Sequence, residues 1–152
     1  MTTPFTYAEI IVDGKHVVPA AIKALVDAKG WQHCVPITDC LICGGMPEGN
    51  YVSGGMPVVM KDNLCFILKE DGTTGSIAGS VLTLARGVKN LVDWQIATVD
   101  QAIRMATEVA ARSARIDDKV GFIKPGRAAD MTIFNADMTL NDTYVGGVSV
   151  NA

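Results

Sequence analysis

Val35-Pro36-Ile37-Thr38-Asp39-Cys40, written VPITDC, is an apolar run that stops abruptly on an aspartate. Cys34 to Thr38 reads as a short buried strand, so the chain delivers Asp39 to that strand's carboxyl end. Upstream, Pro19 to Lys29 sets Ala21, Ile22, Leu25 and Val26 at helical spacing, with Pro19 in the first turn and Gly30 as the stop. Further upstream, Ala8-Glu9-Ile10-Ile11-Val12-Asp13-Gly14 is a β-branched run closed by Asp-Gly, which predicts a strand ending in a tight turn. Strand, helix and strand in so short a span form the pattern of a right-handed crossover joining parallel strands.

Downstream the character changes. Gly44 to Gly79 is rich in Gly, Pro and Asn, and Pro57-Val58-Val59-Met60 and Leu64-Cys65-Phe66-Ile67-Leu68 flank the turn Lys61-Asp62-Asn63 as a hairpin. Two helices follow. Ser80 is positioned to cap the first, whose Val81, Leu84, Ala85, Val88, Leu91 and Val92 form one apolar stripe. Thr98-Val99-Asp100-Gln101 has capping-box spacing for the second, which presents Ala102, Ile103, Ala106, Val109 and Ala110 on one face. Beyond Pro125-Gly126, Met131-Thr132-Ile133-Phe134 and Thr143-Tyr144-Val145 are strand candidates.

Composition narrows the function classes. With 152 residues, 49% hydrophobic and 19% charged, the chain is expected to bury one core as a single unit. A net charge of −3 with 13 scattered Lys and Arg residues supplies no basic face, so nucleic acid is not an expected partner. No apolar run nears the ~20 residues that cross a bilayer, and MTTPFTYAE has no basic start followed by an apolar stretch, so no membrane association and a cytoplasmic location are expected. The four cysteines, Cys34, Cys40, Cys43 and Cys65, are then expected as thiols.

In parallel α/β folds, polar residues at the carboxyl ends of strands gather where loops converge, and Asp39 and Asp13 both hold that position. His16 lies three residues past Asp13, so the three are candidates for proton transfer in one pocket; alternatively, both aspartates serve ordinary turns. His33 precedes its strand, at the end opposite Asp39, and is read as structural. Cys40-Leu41-Ile42-Cys43 has Cys-x-x-Cys spacing, but no second pair completes a zinc site and Gly44, Gly45 and Pro47 rule out a following helix. Gly72 to Ser80 leads into the predicted helix and is either an anion cradle of backbone N–H groups or an unliganded loop.

Five segments then fall into a familiar order. Asp13-Gly14-Lys15-His16, Thr38-Asp39, Gly44-Gly45-Met46-Pro47-Glu48-Gly49-Asn50-Tyr51, Ser76-Ile77-Ala78-Gly79-Ser80 and Gly121-Phe122-Ile123-Lys124-Pro125-Gly126-Arg127-Ala128-Ala129-Asp130 together resemble the C-terminal part of the N-acetylglucosamine-6-phosphate deacetylases, within the amidohydrolase superfamily of metal-dependent barrels. The resemblance runs from about Tyr7 to Val150.

It implies an α/β fold: the C-terminal fragment of a (β/α)8 barrel, its last strands and helices, plus β-hairpins of a small β-sandwich domain. Residues 7–50 and 72–115 would form the barrel end, and 51–71 and 120–150 the small β-domain segments. It implies that Asp39 is catalytic, passing a proton from the attacking water to the leaving amine, and that Asp13, Gly14, Lys15, His16, Ile77, Ala78 and Gly79 contact an amino-sugar phosphate substrate. A complete family enzyme holds a divalent metal, zinc or similar. A full barrel takes about 250 residues, and its metal ligands would come from strands outside this sequence, so no metal-ligating residue is expected here. The expectation is therefore a truncated amide hydrolase of amino-sugar metabolism that needs a complementing chain. The alternatives are an amidohydrolase with another substrate, or a non-catalytic remnant or assembly module that forms a homo-oligomer.

Overall fold

A computed structural model describes residues 6–151, and the chain divides into two units, residues 1–37 with 84–152, and residues 38–83. In the first unit, β1 (Ala8–Ile11) and β2 (Cys34–Ile37) pair in parallel, from Ala8 opposite Cys34 to Ile11 opposite Ile37. Between them, α1 (Pro19–Lys29) occupies the predicted span. It has no side-chain cap at its start; Pro19 presets the first helical φ instead, and Gly30 (φ 82) ends the helix by donating its N–H to Val26 O. Ile22 and Val26, one turn apart, are buried against β1 and its neighbours, as the spacing requires.

The helix α2 (Leu84–Asp93) adds Val88 and Leu91 to this core. It also buries Asn90, whose Nδ2 donates to Val12 O at 2.8 Å. Val12 is wholly buried, and Ile11 is the last residue of β1, so this amide takes the place of a ladder partner at the strand's end.

Thr98 forms the predicted capping box with Gln101 and starts α3 (Val99–Arg104). The helix then widens into a π turn, Met105–Val109, before α4 (Ala110–Ser113). That turn corrects the predicted stripe. A π turn adds residues per revolution and rotates everything beyond it, so Met105 and Ala111 are buried where Ala106 and Ala110 were expected. Glu108 is brought inward too, held by Arg104 Nε at 2.9 Å and Arg112 Nη1 at 2.7 Å, while the Arg104 guanidinium lies 4.7 Å from the Trp31 ring centroid. The unit ends in an antiparallel sheet of β7 (Met131–Phe134), β8 (Leu140–Val145) and β9 (Val148–Ser149), and Phe134 and Met138 reach the same core.

The second unit is an antiparallel meander, β3 (Gly49–Ser53), β4 (Met56–Lys61), β5 (Leu64–Leu68) and β6 (Thr74–Ser80), in that spatial order. The β4–β5 hairpin is the predicted one, and Asp62 and Asn63 at its tip both take left-handed φ angles. Two expectations fail here. Gly72 to Ser80 is not a loop feeding a helix: seven of its residues form β6, the edge strand paired with β5, so no helix N-terminus stands behind it. The second concerns the cysteines: Cys43 and Cys65, expected as thiols, are joined in the buried centre of this unit beside Met60, leaving Cys34 and Cys40 free.

Replacing Asn90 by Ala leaves the Val12 carbonyl buried without a partner. The expected loss is about 1–3 kcal/mol of unfolding free energy, read from urea denaturation of the two proteins.

Candidate functional site

Directly after β1 the chain turns through Asp13-Gly14-Lys15-His16. Oδ1 of Asp13 accepts the backbone N–H groups of Lys15 at 2.8 Å and His16 at 2.9 Å, and Oδ2 meets His16 Nδ1 at 2.6 Å. The two side chains are 9% and 18% exposed, so the pair is largely withdrawn from water. Burial alone would raise the Asp13 pKa, but the hydrogen bonds from Lys15 and His16, with the nearby His16 charge, outweigh it and hold the carboxyl below its ordinary value. Gly14 makes the turn feasible: its φ is +72, and a Cβ there would stand 3.1 Å from the Trp94 ring.

Asp39 sits two residues past β2 in the chain, with a left-handed φ of 47 and an exposed carboxylate that has no hydrogen-bond or ion-pair partner among the described residues. A non-glycine residue in this conformation needs surroundings that enforce it. The end of β6 supplies them. Ser80 N donates to Asp39 O at 2.8 Å, Leu41 N donates to Ser80 O at 3.0 Å, and Ser80 Oγ donates to Thr38 O while accepting from Leu82 N at 3.0 Å. Gly79 completes the clamp, since a Cβ on it would lie 2.8 Å from Leu41 Cγ and 3.1 Å from Asp39 O. Ser80, expected as a helix cap, is instead the fastening of the Asp39 turn, and its sequence separation of 42 from Thr38 hid that role from local patterns.

The remaining candidates divide by unit. In the first, Gly14 and Lys15 belong to the Asp13–His16 turn; in the second, Ile77, Ala78 and Gly79 form the strand against the Asp39 turn, with Ile77 exposed and Gly79 buried. His33 closes the 3-10 turn before β2, its ring centroid 5.9 Å from that of Tyr7. Asp130 anchors the Pro-Gly-x-x-Ala-Asp element by accepting Gly146 N at 2.7 Å, and Ala129 O accepts Gly147 N, so this element braces the β8–β9 turn. Sequence reasoning missed a cavity of about 670 Å³ in the first unit, walled by Ala106, Ala110, Phe122, Ile123 and Arg127. Nη1 of Arg127 is buried with no hydrogen-bond partner.

The donor set does not fit a metal ion. Among the described residues no group of three or more His, Cys, Asp or Glu side chains gathers in a way that could hold one, and His16 Nδ1 already meets a carboxylate. No helix among the described residues is long and apolar enough to cross a membrane.

Residues 55–150 match the model of the amidohydrolase family. The chain belongs to that family. It is 36% identical over 95% of its length to N-acetylglucosamine-6-phosphate deacetylase from Vibrio furnissii, but covers only 35% of that protein. An Escherichia coli K12 protein, provisionally named N-acetylgalactosamine-6-phosphate deacetylase, is 31% identical over 97% of this chain and 84% of its own. Among solved structures, the N-acetylglucosamine-6-phosphate deacetylase of Pasteurella multocida superposes with a TM-score of 0.81 at 31% identity, over 94% of this chain and 36% of the enzyme. The mixed α/β fold is thus that of a stretch of these enzymes, and the chain spans about a third of the length of most of the relatives cited. Enzymes of this family are generally metal-dependent.

Two outcomes follow from the site. Ser80→Ala removes the hydroxyl shared by Thr38 O and Leu82 N, and about 1–3 kcal/mol should be lost in urea unfolding, with the backbone amides of Asp39 to Leu41 shifting in NMR spectra. For Asp13 the folded pKa lies below the unfolded one, so its contribution is full above the ordinary carboxylate value of 3.8 and is lost as pH falls through the folded value. The stability gap between wild type and Asp13→Asn should be wide at pH 7 and close progressively below about pH 4.

Proposed function

We propose that this chain supplies the proton-handling and substrate-contacting part of an amidohydrolase that removes the acetyl group from an N-acetylated hexosamine 6-phosphate. The observation that carries the reading is the clamped Asp39: a carboxylate free of protein partners, held in a left-handed turn directly after a core strand, in a chain of this family. Amide hydrolysis must protonate the departing amine, and a positioned carboxylate that takes a proton from the attacking water and returns it to that nitrogen meets the need. His16, in its turn with Gly14 and Lys15, and the Ile77-Ala78-Gly79 strand would contact the sugar. Relatives named for the glucosamine and galactosamine substrates both match over most of the chain, which supports the shared class of substrate.

Residues 7–50 and 72–115 would take the place of a barrel end and 51–71 and 120–150 that of a small β domain. Turnover then requires a complementing polypeptide that brings the metal-binding strands. The open cavity beside β7, with Nη1 of Arg127 buried and unpartnered, supports a surface that awaits such a polypeptide. A non-catalytic module that pairs with its own copies is favoured by one observation, the exposed Ile133, Leu140, Val145 and Val148 on short strands.

The deciding experiment mixes the purified chain with a polypeptide carrying the earlier two-thirds of the Vibrio furnissii enzyme, adds zinc, and follows acetate release from N-acetylglucosamine 6-phosphate. Release is expected only from the mixture, falling about 10²-fold or more with Asp39→Asn. An unchanged rate for that variant, or full turnover by the chain alone, would sink the reading. Self-association without turnover, seen by gel filtration of the same samples, would favour the module.

A further inference from the structure

We infer that Asp13 is a positioning residue that fixes the tautomer of His16, so that Nε2 and not Nδ1 is the ring atom offered to an oxygen of a bound ligand. Only the identity of that ligand rests on the deacetylase reading; the tautomer itself does not.

The geometry separates the two carboxylate oxygens by task. Oδ1 is pinned by two backbone N–H groups, of Lys15 and His16, which prevents the carboxylate from rotating away. Oδ2 is thereby left facing Nδ1 of His16 at 2.6 Å, a distance that requires a proton between them. An ionised carboxylate only accepts, so the proton belongs to Nδ1. This holds for the neutral ring and for the cation alike, and the only ring proton that comes and goes is the one on Nε2. When the ring is neutral, Nε2 accepts from a hydroxyl; when it is charged, Nε2 donates to an oxyanion.

The turn beneath the pair is fixed from two further sides. Asn90 holds the Val12 carbonyl immediately before Asp13, and at Gly14, with a φ of +72, a Cβ would stand 3.1 Å from the Trp94 ring. Nε2 has no hydrogen bond to any described residue, so nothing in the unit already uses it. An aspartate that merely shaped a turn would need only Oδ1. The second oxygen, directed at the ring, goes beyond that requirement.

The two roles separate in one substitution. Asp13→Asn retains an oxygen acceptor for the Lys15 and His16 amides but places an NH2 group opposite Nδ1, which then becomes the acceptor, and the proton moves to Nε2. The measurement is a long-range ¹H–¹⁵N correlation spectrum of the whole chain, labelled on its histidines, recorded at a pH where the His16 ring is neutral, with His33 distinguished by a His33→Gln control. Wild type should show a protonated Nδ1 and an unprotonated Nε2, reversed in Asp13→Asn with the backbone spectrum otherwise retained. A wild-type ring protonated on Nε2, or an Asp13→Asn ring still protonated on Nδ1, overturns the inference. Since no turnover is measured, neither result depends on the deacetylase reading, and the wild-type spectrum decides even if the variant does not fold.

Discussion

A single buried amide joins the two halves of the first unit's logic. The carbonyl of Val12 lies beyond the last paired residue of β1, in a core where an unmet acceptor costs more than most single contacts contribute. Asn90 meets it from α2, almost eighty residues later in the chain, at 2.8 Å. Because that bond fixes where the strand stops, it also fixes where Asp13 starts, and through Asp13 the ring of His16. An aliphatic residue at 90 would suit the apolar stripe of α2 better on propensity grounds, so the asparagine is explained by the strand end and not by its helix.

The same economy governs the second unit. Asp39 occupies a backbone region that side chains avoid, and its carboxylate touches nothing, so the turn gains no stability from the residue's charge. What maintains it is peripheral: the amide and carbonyl of Ser80 on either side, its hydroxyl on Thr38, and the absence of a Cβ at Gly79. The surrounding groups hold the backbone of the turn and leave the side chain exposed.

How far the sequence could be read follows from the range of the forces involved. The strand–helix–strand of residues 8–37 was legible because each signal is local: β-branched runs, a Pro19 start, a Gly30 stop and Ile22 with Val26 one turn apart. The capping box at Thr98 and the hairpin tip at Asp62-Asn63 are equally local. Three features were not. β6 is a Gly- and Ser-rich segment whose strand state is imposed by pairing with β5, so its own propensities point to a loop. The π turn at Met105–Val109 rephases the helix for the sake of tertiary contacts, and a fixed helical period has no means of predicting it. The pairing of Cys43 with Cys65 depends on β5 passing beneath the loop after Asp39, which the Cys40-x-x-Cys43 spacing actively disguised. Of the candidate site, strand-end position identified Asp39 and Asp13, but not the residues that hold them, Ser80 and Asn90, because those act across long sequence separations.

The distribution of chemistry along the chain is itself informative. Carboxylates that move protons must be close to water and free of neighbours, whereas metal ligands must converge in threes or more with second partners behind them. Among the described residues Asp39 is exposed and without a partner, and no set of three or more such ligands converges. The buried acid it does contain, Glu108, is already neutralised by Arg104 and Arg112 from its own helix, which lower its pKa and leave it no capacity for a cation. Its two arginines are engaged by Trp31 and Phe122 in turn, so the cluster is a closed structural network. The open features lie elsewhere: Arg127 Nη1 is buried without a hydrogen bond, and Ile133, Leu140, Val145 and Val148 are exposed on short strands.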